Sequence, residues 1–187
     1  MPSAKVPLPS ILARVEIQRV LDGFTNAKYR MFFTLIYATG LRITEASLLE
    51  TCDIDAIQQV IHVRNGKGGK DRLVPMSGKL YGLLRAYYKH EQTPKPWLFA
   101  SKSGKPITLE TARRALLCAS AVSGIGKVVN PHLLRHAFAT HLLENGTDLR
   151  KIQVVLGHGS IRSTQIYTQV VPSQIAAVRS PLEDLPD

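Results

Sequence analysis

"NPHLLRHAFATHL", residues 130–142, decides how this chain is read. Asn130 followed by Pro131 marks a helix start. An Asn side chain caps free backbone N–H groups, and the fixed φ of proline suits the first helical position. Behind them nearly every position is apolar or small, as in a helix that faces a core. His132, Arg135 and His136 interrupt that run. No acid stands in the first turn, where the helix dipole would favour one. An imidazole and a guanidinium at a helix N-terminus repel that dipole unless an anion sits between them.

Helical signals continue on both sides. Downstream, "DLRKIQVVL" (148–156) carries Asp148 as N-cap, "GHGS" (157–160) is a turn, and helices are expected over 161–169 and 172–178. Upstream, helical periodicity runs through 13–24 and through the more apolar 28–39, which Gly40 closes. Residues 43–50 read as a short helix, 78–90 as another, and Thr108 caps a helix to about Val122. "ILARVEIQ" lacks the Ser or Thr that usually caps a first helix. In "QVIHVRNGKGGKDRLVPM" (59–76), Val60, Ile61 and Val63 precede a Gly/Lys turn and Leu73-Val74 follows it, which predicts a hairpin. The expected fold is mainly α with a small antiparallel β-sheet (α+β). Residues 1–10 form a Pro-rich linker or N-terminal extension, 11–170 the domain, and 171–187 a tail.

Composition bounds the function. The 187 residues suffice for one domain with a real core. Lys and Arg number 24 against 14 acids, a net charge of +10 with pI near 9.9. That excess points to a polyanionic partner, nucleic acid before membrane, against the plainer reading of a merely basic surface. Cys52 and Cys118 have no CxxC spacing and sit among apolar residues, so both are expected to be reduced core residues. No apolar run approaches a membrane span, and Lys5 with Pro2, Pro7 and Pro9 makes a poor signal peptide. A soluble, cytoplasmic protein is expected.

Several short stretches could carry chemistry. His132 and Arg135 are one helical turn apart and share a face, so a phosphate there would receive an Arg fork and an imidazole N–H. The structural alternative ties Arg135 to a carboxylate such as Glu45 or Glu50. A zinc site from His132, His136 and His141 is a poorer reading, since a cation stands between the first two and no HExxH glutamate is present. "ATGLRITEA" (38–46) places Arg42 just past a Gly-capped helix with Glu45 three residues on. "GKGGKDR" (66–72) places Lys67 and Lys70 on a hairpin tip, where a solvated turn is the plainer reading. It is no Walker A loop, because Arg64 and Asp71 occupy positions that require Gly and Ser or Thr. "LGHGS" (156–160) puts His158 in a turn, and Tyr167 lies nine positions on.

Taken together, Arg42, Lys67, His132-x-x-Arg135, Leu156-Gly157-His158 and Tyr167 resemble the catalytic domain of the tyrosine recombinases, the phage integrase and Xer-type family. The likeness runs from about Ile11 to Val170. "HLLRHAFATHLLENGTDLRKIQVVLGH" followed by "ST..IYT" carries it most specifically, with "ATGLRITE" and "GKGGKDRLVP" as independent support. Members usually carry a separate helical domain upstream. The chain therefore reads as a catalytic domain cut from a longer protein or as a compact member resembling fimbrial invertases.

The resemblance implies site-specific DNA strand cleavage and rejoining without metal, ATP or other cofactor, in a bacterial, archaeal or phage-encoded protein working at the nucleoid. Tyr167 would attack the scissile phosphodiester and form a 3′-phosphotyrosyl link. Arg42 and Arg135 would clamp the phosphate, with His132 and His158 adding hydrogen bonds and His132 the general base. Lys67 would be the general acid, and Glu45 would orient an imidazole or Arg42. Lys70, Arg72 and His136 are candidate DNA contacts. The implied partners are double-stranded DNA and three further copies in a tetramer on paired sites, the free chain being monomeric, with the 171–187 tail docking on a neighbour. Alternatives are type IB topoisomerase-like relaxation and a non-catalytic DNA-binding module.

Overall fold

The computed structural model describes residues 11–64, 71–91, 94–157 and 178–186. Its helices are α1 (Arg14–Asp22), α2 (Ala27–Thr39), α3 (Ile43–Ser47), α4 (Gly78–Glu91), α5 (Leu109–Val122), α6 (Pro131–Glu144) and α7 (Leu149–Leu156). Between α3 and α4 lie a 3₁₀ turn at Thr51–Asp53 and strands β1 (Ile54–Asp55), β2 (Val60–Val63) and β3 (Arg72–Pro75). The strands form one antiparallel sheet in the order β1-β2-β3. Val63 pairs with Arg72 and Val60 with Pro75, so β2 and β3 form the expected antiparallel pair. The expected mainly α fold with a small antiparallel sheet is observed. The helices expected over 161–169 and 172–178 lie outside the described residues, apart from Val178.

α2 is the centre. All its residues from Met31 to Thr39 are buried, which suits a helix that is hydrophobic all round. α1, α4, α5 and α6 pack around it. Phe32 meets Phe33 and Phe99 edge-on at ring separations of 5.1 and 5.2 Å. Asn26 caps its start, accepting from the backbone N–H of Lys28 at 2.9 Å. Gly40 ends it in the left-handed conformation, φ 67°. A Cβ there would stand 2.4 Å from the Phe138 ring, so both backbone and packing require glycine.

The capped starts at Thr108, Asn130 and Asp148 all form. α1 begins without a capping side chain, at Ala13. Glu16 compensates: its carboxylate accepts the Ala13 N–H at 2.8 Å and Lys127 Nζ at 2.6 Å. Lys127 also donates to the Ile11 carbonyl, tying the chain's approach to α1 into the fold.

Two expectations need correction or restriction. Cys52 and Cys118 are free thiols but exposed, not core residues. On α5 the buried stripe is Ala112, Leu116, Ala119 and Ser120, and Cys118 falls off it beside exposed Leu117. Of the tail, residues 178–186 fold back on their own chain. Val178, Leu182 and Leu185 enter the core, and Ser180 Oγ donates to the Ala38 carbonyl at 2.8 Å.

Candidate active site

The site grows from two helix ends. α2 stops at Gly40 and α7 stops at Gly157, each glycine left-handed. The last carbonyls of a helix have no partner within it and carry the negative end of its dipole. Arg135, in the second turn of α6 and only 8% exposed, fills that role for both helices. Its Nη1 donates to the Gly40 carbonyl and its Nη2 to the Leu156 carbonyl at 2.6 Å. Among the described residues Arg135 has no carboxylate partner, so the structural alternative that tied it to Glu45 or Glu50 is not observed. Glu50 pairs with Arg64 at 2.9 Å, and Glu45 with Arg42 and Arg72.

Burial lowers the Arg135 pKa to about 10, and the charges of Arg42 and Arg72 push the same way while Glu45 opposes them. The guanidinium remains protonated at neutral pH. The three arginines therefore stand within electrostatic reach of one another around one carboxylate, and the cluster carries a net positive charge.

Arg42 sits at the N-cap of α3, just beyond the α2 end. Its backbone N–H donates to Glu45 Oε2 and its Nη1 to Glu45 Oε1, both at 2.8 Å. Of the two roles expected for Glu45, holding Arg42 is the one seen among the described residues. Burial alone would raise the Glu45 pKa. The hydrogen bonds and charge of Arg72, with those of Arg42, outweigh burial and bring it down to about 2.

His132 lies on the first turn of α6, exposed, and His136 is exposed one turn further. His141, the third histidine of the zinc reading, is buried instead, its Nδ1 2.9 Å from the Tyr37 hydroxyl. Among the described residues no His, Cys, Asp or Glu cluster could hold a metal ion. Lys67, Lys70, His158 and Tyr167 lie outside the described residues.

Arg72 differs from its expected place. Its side chain is only 10% exposed and turns inward, to both oxygens of Glu45 (2.8 and 2.7 Å) and to the Val155 carbonyl (3.0 Å). Among the described residues its hydrogen bonds all go to the protein. The backbone acceptors at Gly40, Val155 and Leu156 complete the site, and the two helix-ending glycines are their signal in the sequence.

Residues 10–174 match the phage integrase family. The chain belongs to that family. A curated relative, tyrosine recombinase XerD of Caulobacter vibrioides, is 39% identical over 192 residues, covering 95% of this chain and 63% of the relative. The crystal structure of XerA recombinase superposes with a TM-score of 0.76 at 33% identity, covering 93% of this chain and 64% of that one. The XerH site-specific recombinase bound to palindromic difH substrate, a post-cleavage complex, superposes with a TM-score of 0.70 at 27% identity, covering 90% and 52%. The chain thus spans about three fifths of the length of most curated relatives it matches. Within this phage integrase fold, Arg42 and Arg135 come together where α2 and α7 end. Among the described residues no helix is long and apolar enough to cross a membrane.

Proposed function

We propose that this chain is the catalytic domain of a site-specific tyrosine recombinase acting on double-stranded DNA. The observation that carries the reading is Arg135, a buried guanidinium held by two helix-end carbonyls and, among the described residues, by no carboxylate, with Arg42 beside it. Such a pair suits the non-bridging oxygens of a phosphodiester, where negative charge grows in an in-line transition state. The net charge of +10 suits a long polyanion.

In the proposed reaction the Tyr167 hydroxyl attacks the scissile phosphorus and its proton passes to a base, His132. The bond from phosphorus to the 5′-oxygen breaks, and Lys67 protonates that leaving oxygen. His158 hydrogen-bonds the phosphate. The 3′-phosphotyrosyl ester conserves the bond energy, so a 5′-hydroxyl from a second duplex reverses the step without ATP. Residues 11–170 form the catalytic domain. Four copies assemble on paired sites, where the 171–187 tail leaves its own chain to dock on a neighbour, while the free chain is monomeric. Lys70 and His136 contact the DNA.

The test is covalent trapping on a nicked suicide duplex, whose cleaved end diffuses away and blocks reversal. Wild type is expected to give a denaturant-stable, protease-sensitive adduct. Tyr167→Phe is expected to give none at nearly unchanged DNA affinity, because one hydroxyl adds little beside many phosphate contacts. An adduct from the Phe variant would move the nucleophile elsewhere.

A further inference from the structure

We propose that Arg72 is a positioning residue for this reaction: it takes up the charge of Glu45, which leaves Arg42 free to hold the scissile phosphate. The inference rests on the reading of Arg42 as a phosphate clamp. It also gives Arg72 a role different from the DNA contact expected from sequence.

The geometry around Glu45 is unequal. Arg72 meets the carboxylate as a planar fork, Nη1 on Oε1 at 2.8 Å and Nη2 on Oε2 at 2.7 Å. Two parallel charge-assisted bonds are the strongest pairing open to a carboxylate. Among the described residues, the guanidinium of Arg42 reaches Glu45 through one nitrogen only, at 2.8 Å, and its other bond to Glu45 comes from the backbone. Arg42 also stays more open, its side chain 23% exposed against 10% for Arg72. Glu45 therefore orients Arg42 while its charge is met by Arg72. Without Arg72 the same buried carboxylate, 7% exposed, would turn both oxygens to Arg42 and quench the charge meant for phosphate.

The same side chain reaches the other half of the cluster. Arg72 Nε donates to the Val155 carbonyl at 3.0 Å, one residue before the Leu156 carbonyl that holds Arg135. Its stem lies against Gly157, where a Cβ would come within 2.9 Å of Arg72 Cδ. Arg72 opens β3, paired with Val63 of β2. It thus ties the sheet to the elements that hold Arg42 and Arg135.

The experiment is a double-mutant cycle read by single-turnover cleavage of the nicked suicide duplex, with DNA affinity and melting temperature measured beside it. Arg72→Met is expected to slow cleavage roughly ten- to a hundred-fold, the scale of a misplaced reacting group, while DNA affinity changes little. Glu45→Gln alone should slow it modestly. The double variant R72M/E45Q should cleave several-fold faster than R72M, because the carboxylate that captures Arg42 is gone. A merely structural arginine predicts no such recovery. Should R72M melt too low to assay, Arg72→Lys serves in its place. It keeps the charge but loses the fork, and it is expected to cleave several-fold slower than wild type. The inference is overturned if R72M, or R72K in its stead, cleaves at the wild-type rate, or if the double variant is as slow as the product of the two singles. A wild-type chain that forms no adduct at all would instead overturn the proposed recombinase activity.

Discussion

Arg135 Nη2 lies 2.6 Å from the carbonyl oxygen of Leu156, the last residue of α7, and its Nη1 binds the carbonyl of Gly40 where α2 ends. One side chain thus joins two helix termini from opposite ends of the sequence. This arrangement makes Arg135→Lys more than a test of charge. Lysine keeps the cation but has no fork, so one carbonyl loses its donor. Cleavage is expected to fall by roughly a hundredfold or more, as when one preorganised donor is lost. Stability should also fall, by about 1–3 kcal/mol, since a buried acceptor is left unsatisfied. Urea denaturation and suicide-duplex cleavage measure the two effects separately. A variant as stable as wild type would show that the carbonyls find other donors.

Gly40 and Gly82 make a matched pair of glycine substitutions. At Gly40 a Cβ meets Phe138 at 2.4 Å and Leu156 at 2.8 Å, on a backbone with φ 67°. Gly40→Ala should cost about 1–2 kcal/mol for the left-handed backbone and a further ~1–3 for overpacking. Gly82 lies on the exposed side of α4 with nothing within 4 Å of its Cβ direction. Gly82→Ala should stabilise by about 0.5–1 kcal/mol. Equal effects at the two positions, read from denaturation midpoints, would contradict this account.

The local part of this chemistry was legible in the sequence. Asn130, Thr108 and Asp148 cap helices because their side chains reach only a few residues, and Gly40 marks a left-handed end for the same reason. The hairpin followed from its β-branched runs. β1 escaped because two residues, Ile54 and Asp55, carry no periodicity. The start of α1 needed Lys127 to hold Glu16, a contact 111 positions away. Arg72 and Arg135 are alike in composition but differ in what they meet, and that depends on where α2, α3 and α7 end in space. The exposure of Cys118 was available in principle, since it lies off the stripe of Ala112, Leu116 and Ala119.

Two acid-sensitive groups should be separable by pH. Glu45 has its pKa brought down from 4.5 to about 2. A depressed folded-state value means stabilisation that is complete above the unfolded pKa and lost as pH falls from about 4.5 towards 2. The stability difference between wild type and Glu45→Gln should therefore shrink across that window, by something on the order of 2–3 kcal/mol. A difference that stays constant from pH 5 to pH 2 would show that the carboxylate is not held charged by Arg72 and Arg42.

His141 should act at higher pH. Burial lowers its pKa below the ordinary 6.5, and Arg14 adds to that, against Glu144, the Leu12 backbone and Asp184. Its Nδ1 meets the Tyr37 hydroxyl in the core. The folded form favours neutral imidazole, so this stabilisation is full above about pH 6.5 and declines as pH falls below it. Replacing His141 by Gln should flatten the wild-type loss of stability between pH 7 and pH 5. The Glu45→Gln variant should leave that window unchanged. Equal slopes for wild type and His141→Gln would assign the effect to another group.

The C-terminal segment gives the last prediction. Leu182 is 3% exposed, and Ser180 Oγ bonds to the Ala38 carbonyl on α2. Asn145 and Arg14 hold Asp184 at 2.8 and 3.7 Å, and Lys79 Nζ donates to the Leu185 carbonyl at 2.7 Å. These contacts all lie within one chain, so the isolated protein should gain stability from the segment without a partner. Leu182→Ala should cost about 2–5 kcal/mol, as deletion of a buried leucine does. Ser180→Ala should cost about 1 kcal/mol, because Ala38 loses its donor. If the segment packs on its own chain, the melting midpoint will not depend on protein concentration for wild type or either variant. A midpoint that rises steadily with concentration would mean that the segment comes from a second copy, as the proposed trans docking requires on DNA.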